Sequence, residues 1–180
     1  MKKAIIITVS IVVVIVLVVL AILSLPWCLI YFGILLSPDP PEPQFTSAEF
    51  PFSLVYSLDG ETITVNDVYV CEYEGIGIDE GRGKHIKWNW YIKSTKQKYL
   101  VLLQPDCKKR IICYFDDPLY YMDDPERSWD TEEQIDPKLT LYEDYGDTTA
   151  LHVLSSEEWK AYNIKLISWE FSEPIKNEFK

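Results

Sequence analysis

The stretch YEGIGIDEGRGKHIKW, residues 73 to 88, places Gly75, Gly77, Gly81 and Gly83 just before Lys84, and its reading decides the fold. A phosphate-cradling loop requires the spacing G-x-x-x-x-G-K-[ST] and a helix after it, whose first N–H groups point at the anion. Here the spacing fails and His85 stands where a hydroxyl is needed. Asp79 and Glu80 within the loop would also repel phosphate. The residues after the glycines alternate: in KHIKWNWYIK, Ile86, Trp88, Trp90 and Ile92 fall on one face, and His85, Lys87, Asn89, Tyr91 and Lys93 on the other. Period two marks a half-buried strand. The glycines are therefore read as a hairpin connection, and the domain around them as built from strands.

Upstream, FSLVYSL and ETITV flank Asp59-Gly60, a hairpin signal because both turn residues tolerate positive φ, and NDVYVCEYE continues as a strand after a bulge or break at Asn66-Asp67. Downstream, KYLVLLQ and RIICYF read as strands joined by the turn PDCKK. The acid-rich segment from Asp116 to Pro137 reads as a loop with one helical turn at Leu119 to Met122. KLTLYEDYGDTTALHVL predicts a second hairpin about Tyr145-Gly146-Asp147, SSEEWKAYN a short helix with Ser155 and Glu158 as a capping box, and IKLISWEF a last strand. The fold class is thus mainly β: an antiparallel sandwich or small barrel of about seven or eight strands with one short C-terminal helix. His85 and His152 sit on strand polar faces, and no G-x-S-x-G elbow or HExxH pattern accompanies them.

The amino terminus is of another kind. From Ala4 to Leu25 no side chain is charged, and at about 1.5 Å per residue such a run crosses a hydrocarbon core of about 30 Å. Residues 1–36 form the anchor: a transmembrane helix over about 4–25, then an interfacial piece over 26–36 that begins at Pro26 and carries Trp27, Tyr31 and Phe32. A cleaved secretory signal is the competing reading, opposed by the length of the apolar core and the lack of an A-x-A-like site. Residues 37–44, SPDPPEPQ, read as an extended Pro-rich spacer, and residues 45–180 as the external domain. Lys2 and Lys3 before the span predict a cytoplasmic amino terminus and a C-terminal domain outside the cell membrane.

The chain has 17 basic and 28 acidic residues; setting aside Lys2 and Lys3 leaves a formal charge of −13 on the rest, which argues against nucleic acid as a partner. Bases concentrate between Arg82 and Arg110, so Lys84, Lys87, Tyr91 and Lys93 are the candidate binding face, for an envelope protein or an anionic cell-wall polymer. Pairing of these lysines with acids of the same domain is the alternative. The acidic clusters (Asp116-Asp117; Asp123-Asp124 with Glu126; Asp130 with Glu132-Glu133; Glu143-Asp144 with Asp147) lack a calcium-loop pattern and read as solvated charge. A disulfide joining Cys71 to Cys107 or Cys113, or Cys107 to Cys113, is compatible with an oxidising compartment. Neither a metal site nor a cofactor is expected.

The anchor, the Pro-rich spacer, FPFSLVYSLDGETITVNDVYVCEYEG, GKHIKWNWYIK and the closing IKLISWEFSEPI together resemble single-pass surface proteins of clostridial-type Gram-positive bacteria. That resemblance implies a location and carries no activity. The expectation is a non-catalytic, membrane-anchored binding module. An extracytoplasmic hydrolase or carbohydrate-active enzyme, and an assembly or regulatory subunit acting through the anchor, are the alternatives.

Overall fold

Asp59 and Gly60 both adopt positive φ, 52° and 89°, and turn strand β1 (Ser47–Leu58) into β2 (Glu61–Asp79). The coordinates are a computed structural model that describes residues 2–115, 118–126 and 137–180, with the backbone alone for residues 2–9. The remaining strands are β3 (Gly83–Ile92), β4 (Tyr99–Leu103), β5 (Lys109–Tyr114), β6 (Lys138–Asp144), β7 (Thr149–Val153) and β8 (Ile164–Phe171). The helices among the described residues are α1 (Lys2–Leu36), α2 (Pro118–Tyr121) and α3 (Ser156–Ala161). The strands form two four-stranded antiparallel sheets, ordered β3-β2-β1-β8 and β4-β5-β6-β7. Two separate sheets, rather than one closed ladder, make the fold a sandwich.

The chain divides into two compact units, residues 1–40 with 75–87 and residues 41–74 with 88–180. The second unit holds the core. Alternation in β1 buries Phe50, Phe52, Leu54 and Tyr56, while β5 contributes Ile111 and Cys113. Phe52, Tyr69, Phe115, Tyr121, Trp169 and Phe171 form one aromatic cluster, with Tyr121 and Phe171 4.4 Å apart and Phe52 and Phe115 4.8 Å apart. Such offset, tilted contacts add to the burial of apolar area. The Tyr56 hydroxyl donates to the Leu102 carbonyl at 3.3 Å, tying the first sheet to the second, and burial pushes its pKa up.

Helix α1 departs from the expected boundary: it runs unbroken through Pro26 to Leu36. Its 35 residues reach roughly 52 Å as one helix at about 1.5 Å each, so the helix end is set by Ser37 and the prolines after it rather than by Pro26. From Ser10 to Leu36 it is long and apolar enough to cross a membrane, as a membrane anchor or a signal sequence would be.

The Pro-rich segment is not free along its length. Lys84 Nζ donates to the Ser37 carbonyl at 2.7 Å and to Asp39 at 2.8 Å. In the second unit, Glu42 and Gln44 pair through their main chains with Lys180 and Glu178, and the Asn177 amide bonds both the N–H and the C=O of Phe45. The C-terminal tail supplies an extended partner, which the polar composition of IKNEFK did not announce.

Candidate functional site

The glycine stretch, the first candidate for chemistry, is a strand and a tight turn. β2 does not break at Asn66-Asp67 but continues through Gly75 and Gly77 to Asp79, and only Glu80 to Arg82 form the turn. Asp67 instead accepts from the Ser94 hydroxyl and from the main-chain N–H groups of Val68 and Ser94. Gly75 and Gly83 have positive φ, 109° and 76°. Asp79 closes the turn by accepting from the N–H groups of Gly81 and Arg82 at 2.9 and 2.6 Å, and the Arg82 N–H is the main reason its carboxyl titrates below the usual range. These main-chain donors are spent on a carboxylate.

His85 is buried, contrary to its place in the alternation, because Gly77 leaves room for its ring. Its Nδ1 lies 3.2 Å from the Gly83 carbonyl and 3.5 Å from Asp79, and its Nε2 lies 3.3 Å from Arg82 Nη2. A proton on Nδ1 satisfies both hydrogen bonds, with Nε2 accepting from the arginine. His152 is exposed and lies 3.0 Å from Glu158.

The predicted lysine face is not an open basic surface. Lys84 retains 13% side-chain exposure and is bound to Asp39 and Ser37. Lys93 is paired with Glu49 at 2.7 Å, and the Tyr91 hydroxyl donates to Glu72 at 3.0 Å while Lys96 covers its ring. Lys87 is exposed. The acids of residues 39 to 81 thus meet the bases that come after them in the chain. Half-exposed pairs of this kind contribute about 0–1 kcal/mol each.

The acidic clusters behave unevenly. Asp124 is fully buried, accepting from Trp88 Nε1 at 2.8 Å and from the N–H of Glu126, so it is a structural acceptor rather than solvated charge. Glu143 pairs with Lys109 at 2.7 Å. Asp116, Asp117, Asp130, Glu132 and Glu133 lie outside the described residues. Among the described residues no group of three or more His, Cys, Asp or Glu side chains is arranged to hold a metal ion. None of the four cysteines is joined in a disulfide bridge, which corrects the expected pairing of Cys71 with Cys107 or Cys113. Cys71 is buried in the first sheet and Cys113 in the second, while Cys107 is exposed in the β4–β5 turn.

A different surface emerges on the second sheet. Leu100, Leu102, Ile111, Cys113 and Leu139 point inward and are buried. The opposite parity carries Tyr99 and Val101 on β4, Arg110, Ile112 and Tyr114 on β5, Thr140 and Tyr142 on β6, and Leu151 and Val153 on β7. Ile112 and Thr140 are buried at its centre, whereas Val101, Leu151 and Val153 are 43%, 58% and 62% exposed. Tyr99 meets Tyr114 edge-on at 5.7 Å, and the Arg110 guanidinium lies 5.6 Å from the Tyr142 ring. Burial first, then the neighbouring Tyr99 and Tyr142, raise the pKa of Tyr114, as expected of rings gathered on one face. The signal was present in KYLVLLQ and RIICYF, where apolar and aromatic residues occupy both parities. One parity accounts for the core and the other for this face.

Comparison of the chain with known proteins finds no matching family model, no matching curated protein and no matching solved structure.

Proposed function

We propose that the chain is a single-pass membrane-anchored protein of the cell envelope. Its β domain lies outside the membrane and acts as a non-catalytic binding module. The outer face of the second sheet is its contact face, and an envelope protein is its partner. The observation that carries the contact face is the set of exposed aliphatic side chains it presents, Val101 on one edge strand and Leu151 and Val153 on the other, on the same face as Tyr99, Tyr114 and Tyr142. Tyrosine and arginine are enriched among the groups that dominate protein contacts, with exposed aliphatic side chains adding apolar area to bury, whereas Lys84 and Lys93 of the lysine face are already paired with Asp39 and Glu49. The placement of the domain outside rests on Lys2 and Lys3 before the apolar run and on the acidic charge after it.

The test uses the full chain in a Gram-positive host. Protease added to intact cells should remove the C-terminal domain; protection of that domain would sink the orientation. A photocrosslinker at Val101 should give an adduct that one at Thr64, exposed on the first sheet, does not. Tyr99→Ser with Tyr142→Ser should abolish that adduct while the protein still accumulates. Equal adducts from both positions, or adducts indifferent to the tyrosines, would remove the contact face.

A further inference from the structure

We infer that the open edge of β7 pairs with β7 of a second copy of this chain, across a two-fold axis through Leu151. Among the described residues β7 has a strand neighbour, β6, on one side only, and all five of its residues are exposed. The phase of its hydrogen bonding is fixed by two contacts: Leu154 N–H donates to the Leu139 carbonyl, and Tyr145 N–H donates to the Thr148 carbonyl. In an antiparallel ladder bonded and non-bonded pairs alternate, so Leu141–His152 and Glu143–Ala150 are the bonded pairs. Ala150 and His152 therefore spend their main-chain groups on β6. Thr149, Leu151 and Val153 turn theirs toward the open edge.

The four edge strands are not equally protected. β3 carries Lys84 and Lys87, β8 carries Lys165 and Glu170, and β4 shifts register between Val101 and Leu103. Charges and bulges are the devices that keep edges from pairing with another chain. β7, TALHV, has no acid, lysine, arginine or proline, and its register with β6 is continuous. In a domain of strongly acidic sequence it is an uncharged edge.

That edge is also self-complementary. Antiparallel pairing about Leu151 sets Leu151 against the second copy's Leu151 and Thr149 against its Val153, and each such pair exchanges main-chain bonds. Small Ala150 then faces the second copy's His152. An axis perpendicular to the sheet keeps both outer faces on one side, so Tyr142 and Arg110 of each copy flank a joint apolar seam. A five-residue strand buries less than the roughly 1,200–2,000 Å² of a stable soluble complex, so the pairing needs the local concentration that a shared membrane provides. This last step rests on α1 being an anchor.

The test uses the full chain carrying Cys28→Ser and Cys107→Ser, reconstituted in phosphatidylcholine–phosphatidylglycerol vesicles and oxidised with copper phenanthroline. Leu151→Cys should give a disulfide-linked dimer at least tenfold above Thr62→Cys, an exposed position on the first sheet. Thr149→Cys and Val153→Cys should cross-link when the two chains are mixed and not when each is alone. Val153→Lys in the Leu151→Cys background should cut the dimer at least tenfold, with circular dichroism confirming that the fold is kept. A chain that floats with the vesicles but gives no excess at Leu151, or an excess untouched by Val153→Lys, overturns the pairing alone. A chain that does not float with the vesicles overturns the anchor and, with it, this proposal.

Discussion

The imidazole of His85 occupies the space in which a Cβ on Gly77 would stand: an ideal Cβ would lie 2.5 Å from Nε2 and 2.8 Å from Cε1. Gly77 does not have positive φ, so its requirement is steric and not conformational. Gly77→Ala must push His85 away from the Gly83 carbonyl and Arg82, at an expected cost of about 1–3 kcal/mol for overpacking. Thermal unfolding of the full chain in detergent checks this. In a His85→Ala background the same substitution should cost much less, and an equal cost in both backgrounds would assign the glycine another role. Gly81→Ala, whose Cβ would meet only Asp79 at 3.5 Å, should be near neutral.

Trp88 and Asp124 make a second coupled pair. Asp124 is fully buried, and its Oδ2 takes the indole N–H at 2.8 Å while its Oδ1 takes the N–H of Glu126 at the same distance. Asp124→Ala leaves a buried indole donor without its acceptor, a loss of about 1–3 kcal/mol beyond the cavity itself. Asp124→Asn keeps one carbonyl oxygen and should cost less. Asp124→Ala in a Trp88→Phe background should be milder than in the native chain, as read from urea midpoints.

The antiparallel β architecture was legible in the sequence because each strand with one buried face writes period two, and because Asp59-Gly60 and Gly146 supply the positive φ their hairpins need; the choice of a sandwich over a barrel was not, since period two does not say which strands pair across the chain. The capping box at Ser155 and Glu158 was legible for the same reason: its parts are local. The features that local pattern concealed depend on partners distant in the chain. Asp124 looked solvated because its partner lies 36 residues away, and His85 looked exposed because the missing Cβ is on another strand. The lysines looked available because Asp39 and Glu49 meet them only once the chain has folded back. The tyrosine face went unread because strands apolar on both parities do not say which parity points inward.

The thiols give a chemical check on the absence of a bridge. Burial pushes the Cys113 thiol up to about 12, and a thiol rather than a thiolate is a poor nucleophile. At pH 8 in detergent, an aromatic disulfide reagent should label Cys107 within minutes and leave Cys71 and Cys113 unlabelled for hours. In guanidinium all four should react without prior reduction. Two thiols that appear only after reduction would restore a disulfide.

Glu158 provides the pH-dependent test. Its carboxylate accepts first from the Ser155 N–H at 2.8 Å, then from His152 at 3.0 Å and the Ser155 hydroxyl at 2.8 Å, which together lower its pKa to about 2 from the ordinary 4.5. A depressed folded-state pKa means that the charged form is favoured by folding. The contribution of this cap is therefore fully present above pH 4.5 and is lost as pH falls through about 2. Carboxyl chemical shifts should show Glu158 titrating near 2, well below the ordinary glutamate value of 4.5. His152→Ala and Ser155→Ala should each move that midpoint upward, because each removes one of the groups that favour the anion. A native midpoint at the ordinary value would mean that the box does not hold α3 in solution, and β7 and α3 would then be joined by the chain alone.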